Sequence, residues 1–300
     1  MTSHSIRPAN FDGYWDDVDQ QLAALPAAPE LEPMPIRSNE HCDVYSVRLT
    51  SVGPYRIFGY FSVPKSGPGP FPGLLLTPGY GSVKAVPDYN DRMRYVTLQI
   101  IHRGQRLADK PYAAAYPGLM TDGIDDSLTY IFRNVVADCL RGAEFLFSRP
   151  EVDTSRVAVV GNDLALITAA RRPQFTVVQV ADLMFHRLTE ARQRTEAYPL
   201  EEINEYLRTH PEREEAVALS VSYLDPEHHV GNITATTSLS VGDAGSTAGS
   251  DWFEGLSNNF GGPLEHYQLT HEGGTDHDAT DAWMAEQLGV KPMSRFLTEV

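Results

Sequence analysis

A run rich in β-branched residues, Arg156-Val157-Ala158-Val159-Val160, leads directly into Gly161-Asn162-Asp163-Leu164-Ala165 and then into a helical stretch from Leu164 to about Arg171. Strand, sharp turn and helix in that order are the layout of a nucleophile elbow. Its apex residue projects above a sheet, and the backbone N–H of the next residue faces an oxyanion. The flanking residues must be small because the turn packs helix against strand, and Gly161 and Ala165 meet that need. The apex is Asp163. Downstream, Asp243 follows the short strand Leu239-Ser240-Val241, and His271 follows Tyr267-Gln268-Leu269. Nucleophile, acid and base in that chain order are the parts of a triad. A reading without catalysis stands beside it, in which an Asp one residue past a strand caps the helix Leu164 to Arg171 and satisfies its orphan N–H groups.

Other residues carry less chemistry. His228-His229 and Asp276-His277-Asp278 are adjacent residues that rarely converge on one ion, and no spacing supplies a third ligand, so no metal is expected. Gly242, Gly245 and Gly249 do not fit a dinucleotide fingerprint and read as a loop beside Asp243; no cofactor is expected. The charges Glu201-Glu202, Glu205 and Glu212-Arg213-Glu214-Glu215 read as the solvated face of helices. Tyr80, on the loop leaving the first buried strand, is the aromatic residue expected at the site.

The elements that must position these residues alternate. Phe11, Tyr14, Trp15, Val18 and Leu22 are spaced as the buried stripe of a helix, and Pro26, Pro29, Pro33 and Pro35 then mark an extended linker, so residues 1–40 form a leading helix and linker. Asp43 to Thr50 and Tyr55 to Val63, joined by Gly53-Pro54, read as a hairpin. Gly73 to Thr77 and Val96 to Ile101 are buried strands, the second running into His102-Arg103-Gly104-Gln105. A helical stripe follows from Ser127 to Ser148, ended by Pro150, and Thr176 to Val180 is a further strand. Residues from about 186 to 224 are charged and helical, with Pro199 and Pro211 as breaks, and read as a helical insertion reaching about 230. Strands alternating with helices, with polar residues just past the strands, indicate an α/β fold with a doubly wound, mostly parallel sheet in one domain.

Composition sets the partners. The 300 residues carry 24 Lys and Arg against 40 Asp and Glu, a formal net charge of −16, which argues against nucleic acid and anionic membrane. Two cysteines, Cys42 and Cys139, are too few for a disulfide framework. The polar stretch Met1 to Asn10 has no secretory apolar core, and no apolar run approaches the ~18 residues of a membrane span. A cytoplasmic protein acting on a small molecule is expected.

In order along the chain stand Phe11-Asp12-Gly13-Tyr14-Trp15, Pro78-Gly79-Tyr80-Gly81, Arg103-Gly104-Gln105, Arg149-Pro150-Glu151-Val152-Asp153, Tyr223-Leu224-Asp225, Val241-Gly242-Asp243 and His271-Glu272-Gly273-Gly274. With this set the chain resembles the acetyl xylan esterase and cephalosporin C deacetylase family of α/β-hydrolases along nearly its whole length. The resemblance implies Asp243 as triad acid and His271 as base. It also implies Tyr80 and Leu164 as donors of oxyanion-hole N–H groups, Arg103 as a sheet anchor through buried ion pairs, with Gln105 beside it, and a tendency to symmetric oligomers. The departures are equally specific. The family's elbow reads Gly-x-Ser-Gln-Gly, and here the serine is Asp163; Pro78 stands where the family has His, Arg106 where it has Gly, and Ala244-Gly245-Ser246-Thr247 where it has Pro-Pro-Ser-Thr.

A carboxylate attacking an acetyl ester would make a mixed anhydride by expelling a leaving group far worse than itself. Two routes suit an Asp better, and both displace a leaving group from a saturated carbon. In one, Asp163 forms an alkyl ester that water, activated by His271 and Asp243, hydrolyses, by analogy with haloalkane dehalogenases and epoxide hydrolases. In the other, Asp163 is the base for a substrate amine or hydroxyl that closes a ring. Specialised small-molecule biosynthesis fits either. The rivals are an inert homologue serving as a binding or assembly subunit, and residual esterase activity. A homo-oligomer or a separate partner subunit completing the pocket stays open.

Overall fold

The computed structural model describes residues 6–81, 86–242 and 250–294 of the 300. Asp243 therefore lies outside the described residues, as do Ala244 to Gly249. One sheet organises the chain, with strands in the order β1-β2-β3-β5-β4-β6-β7-β8-β9. The ranges are β1 Glu30–Pro33, β2 Cys42–Ser51, β3 Tyr55–Pro64, β4 Phe71–Leu76, β5 Val96–Ile101, β6 Val152–Gly161, β7 Val177–Val180, β8 Thr236–Val241 and β9 Leu264–Gln268. From β5 across to β9 every pairing is parallel, whereas β1, β2 and β3 pair antiparallel and join the parallel set at β5.

The hairpin runs in unbroken register from Cys42↔Pro64 to Ser51↔Tyr55, and Gly53 supplies the left-handed turn residue at φ +71°. β1 is a correction to the linker reading. Prolines do not forbid an edge strand, and Glu30–Pro33 pairs with Tyr45–Arg48 at the edge of the sheet.

Helices α1 Phe11–Ala24, α2 Tyr89–Arg94, α3 Ile131–Phe147, α4 Asp163–Arg171 and α9 Gly273–Leu288 accompany the strands, and α8 Glu254–Asn258 precedes β9. The helices α5 Leu188–Ala191, α6 Leu200–Thr209 and α7 Glu214–Ser222 fall between β7 and β8, where the charged insertion is expected. The first helix buries Phe11, Tyr14, Trp15, Val18 and Leu22, the residues its spacing marks. α3 starts at Ile131, later than its stripe suggests, because the polypeptide before it turns through Asp126 and Thr129.

One core cluster packs β2–β8 against α3 and α4; a second joins α1, α3, α4 and the inserted helices. Among the described residues no helix is long and apolar enough to cross a membrane.

Candidate active site

Gly161 ends β6 so close to β4 that a Cβ built on it would lie 1.9 Å from Thr77 Oγ1 and 3.6 Å from Ala165 Cβ. Glycine is thus obligatory at 161 and a small residue fits at 165, for the packing reason that defines an elbow. The apex itself differs from the expected one. Among the described residues, the non-glycine residues at positive φ are Ala28, Arg106, Asp182, Arg187 and His271; Asp163 is not one of them and is the first residue of α4. Asn162 is the N-cap, its Oδ1 accepting the Leu164 N–H at 3.0 Å. The capping role assigned to an Asp therefore falls one residue earlier, and the Leu164 N–H, expected to face an oxyanion, is engaged in that cap.

Instead of projecting above the sheet, Asp163 is fully buried. Its carboxylate accepts an N–H from Met184 on one oxygen and from Phe185 on the other, the latter at 3.1 Å. Met184 and Phe185 lie on a strap between β7 and α5 that begins at left-handed Asp182 (φ 53°) and ends at left-handed Arg187 (φ 49°). Burial pushes the Asp163 carboxyl up to about 7, against the two N–H donors and the charge of His186, which favour ionisation.

His271 is exposed and left-handed at φ 62°. Its N–H donates to Asp276 Oδ2 at 3.0 Å, and Asp276 also accepts from Thr270 and Tyr267, which holds its carboxyl below the ordinary value. Tyr80 lies half-buried, its ring edge-on to Tyr116 at 5.4 Å, with its hydroxyl donating to Glu202. Glu202, assigned by its neighbours to a solvated face, is 4% exposed and accepts N–H bonds from Gly118 (2.8 Å) and Met120 (3.1 Å). It pins the inserted α6 to Tyr80 and to the turn at Gly118 and Met120. The i, i+3 pattern Leu200, Ile203 and Tyr206 on one face of α6, with Glu202 flanking it, was the available signal.

Arg103 and Asp138 form a buried pair. The guanidinium donates to both carboxylate oxygens, at 2.7 and 3.1 Å, the Arg103 N–H adds a third bond at 3.1 Å, and Arg103 also reaches the Val52 carbonyl. Gln105 is buried beside it and donates to the Tyr116 hydroxyl at 2.8 Å. His229 is buried on the Tyr223 carbonyl at 2.9 Å, its imidazole pushed down to about 3 by burial. Among the described residues no three His, Cys, Asp or Glu side chains are grouped to hold a metal ion.

A mixed sheet whose parallel strands carry an elbow after β6 defines an α/β-hydrolase. Residues 1–249 match the family model of acetyl xylan esterase (AXE1), and the chain belongs to that family. It is similar to the acetyl xylan esterase from Paenibacillus sp. R4, with a TM-score of 0.80, 25% identity, and 95% of this chain and 96% of that one covered. The acetyl xylan esterase 1 from Thermoanaerobacterium sp. JW/SL YS485 shares the fold, with a TM-score of 0.80 at 22% identity over 95% and 96% of the two chains. The acetyl esterase Axe7A of Xylanibacter ruminicola is 25% identical over an alignment of 193 residues that covers 59% of this chain and 44% of that protein, so the match spans less than half of that relative.

Proposed function

We propose that this chain is an enzyme that has left acyl-serine hydrolysis and uses Asp163 to displace a leaving group from a saturated carbon of a small molecule, with Asp163 as the base of a ring closure. The observation that carries the reading is the carboxylate itself: completely buried, at the elbow, with no cationic side chain bonded to it and an affinity for protons set near neutrality. A base works best when its acidity lies near the operating pH, and an internal nucleophile held beside its carbon needs no second reactant. The balance is simple. A substrate amine or hydroxyl loses its proton to Asp163 and forms a bond to carbon, while the carbon–leaving-group bond breaks with its electron pair on the leaving group. No tetrahedral oxyanion forms, so the engagement of the Leu164 N–H with Asn162 costs this reaction nothing.

In the hydrolytic version Asp163 is itself the nucleophile, and His271 with Asp243 activates the water that cleaves the alkyl ester. Single turnover in isotopically heavy water separates the two: label enters Asp163 by the covalent route only. Halides, epoxides and sulfate or phosphate esters, screened beside acetyl esters, form the substrate panel. Asp163→Ala is expected to lower turnover on the responding substrate by ~10²–10⁴-fold, the usual worth of a general base; unchanged turnover ends both versions. A second reading, a binding or assembly subunit without catalysis, is favoured by one observation, that both Asp163 oxygens are engaged and neither reaches solvent. It is supported if the whole panel is inert while the chain binds a second copy or another subunit.

A further inference from the structure

The strap over Asp163 is held by two buried carboxylates. Met184 and Phe185 donate their N–H groups to Asp163, and Arg187 donates its own to Asp225 Oδ2 at 3.1 Å. Between them sits His186, 2% exposed, as is Asp225. Its Nε2 lies 3.1 Å from the Trp252 carbonyl, its Nδ1 3.6 Å from Asp225 Oδ1, and its ring stacks on Phe253 at 5.5 Å. A carbonyl only accepts, so Nε2 carries a proton. A neutral ring would then turn the Nδ1 lone pair toward a carboxylate, which is repulsive, whereas an imidazolium sets its charge at ion-pair distance from Asp225, although Nδ1 makes no hydrogen bond.

We infer that His186, held as a buried imidazolium by Asp225, is the positioning residue that locks the 184–187 strap and its Met184 and Phe185 N–H donors onto Asp163. This rests on the reading of Asp163 as a base. The titratable groups facing the pair are few. Asp225 and Glu227 both favour the charged ring, and burial opposes it, with the net direction upward. Asp225 in turn is held low by His186, the Glu227 N–H and His228 against its own burial. On the Asp163 side the charge of His186 favours the carboxylate.

The test needs no substrate. In wild-type protein labelled with nitrogen-15 at histidine, the His186 ring is expected to carry protons on both nitrogens at pH 7; a neutral ring there overturns the inference without any variant. Carbon-13 titration of aspartate carboxyls, with the Asp163 signal assigned by its loss in Asp163→Asn, then gives the midpoint of Asp163. In His186→Gln and in Asp225→Asn that midpoint is expected to rise by about one pH unit, a ~tenfold gain in proton affinity. An unchanged midpoint in a variant with native near-UV circular dichroism overturns the inference, even if ring closure is found. A shifted midpoint together with an inert substrate panel keeps the coupling and removes the catalytic reading.

Discussion

Asp138 on α3 and Asp163 at the head of α4 are both carboxylates removed completely from water, on helices that pack against each other. Asp138 meets the planar fork of Arg103 and the Arg103 N–H, so its charge is matched where it sits. Asp163 meets backbone N–H groups, those of Met184 and Phe185 among them, and the charge of His186 on the same strap favours its ionised form without a direct bond. Burial is the same in both; the counter-charge differs. A paired buried carboxylate is a fastening, while one with partial dipoles alone keeps its proton in play.

The comparison breaks most readily at Asp138. Asp138→Ala leaves the Arg103 guanidinium buried without its partner, and urea unfolding should show a loss of ~3–5 kcal/mol; a loss below ~1 kcal/mol would mean the pair is not the fastening described. At Asp163 the prediction concerns pH. The carboxyl is raised from the ordinary 3.8 to about 7 in the folded protein, so its contribution favours folding below about pH 4 and is lost as pH rises through about 7. Relative to wild type, the non-titrating Asp163→Asn should therefore gain up to roughly 4 kcal/mol between pH 4 and pH 8. Measuring the two proteins side by side matters, because His229, depressed to about 3, loses stability in the opposite sense as pH falls below the ordinary histidine value. Parallel pH curves for Asp163→Asn and wild type would show that Asp163 does not titrate.

Smaller effects sharpen the picture of the elbow. Gly161→Ala drives a Cβ onto Thr77 Oγ1 and should cost ~1–3 kcal/mol, partly recovered when Thr77→Ala is added. No recovery would place the strain in the backbone instead of at Thr77. Asn162→Ala should cost ~1 kcal/mol in thermal unfolding, the usual worth of an N-cap. An unchanged melting temperature would mean the Asn162 cap contributes nothing to α4.

Much of the framework is legible in the chain. The apolar runs of β4, β5 and β6, the hairpin around Gly53 and the stripe of α1 follow from side-chain periodicity, which reports which faces are buried. β1 is hidden because an edge strand of four residues among prolines has almost no periodicity to show. Glu202 is hidden because a glutamate on a charged helix looks solvated until Gly118 and Met120 fold beneath it.

The sequence by itself determined the strand–turn–helix segment, the aspartate at position 163 within it, and the chain order of Asp163, Asp243 and His271. Local packing demands and residue identity are written position by position. Only the tertiary structure decided that Asp163 is buried against the 184–187 strap, that Asn162 caps α4, and that Asp225 holds the His186 end of that strap. The donors to Asp163 are backbone N–H groups more than twenty positions away, and nearly every residue carries such a group. Their selection is made by the path of the chain, which no side-chain pattern records.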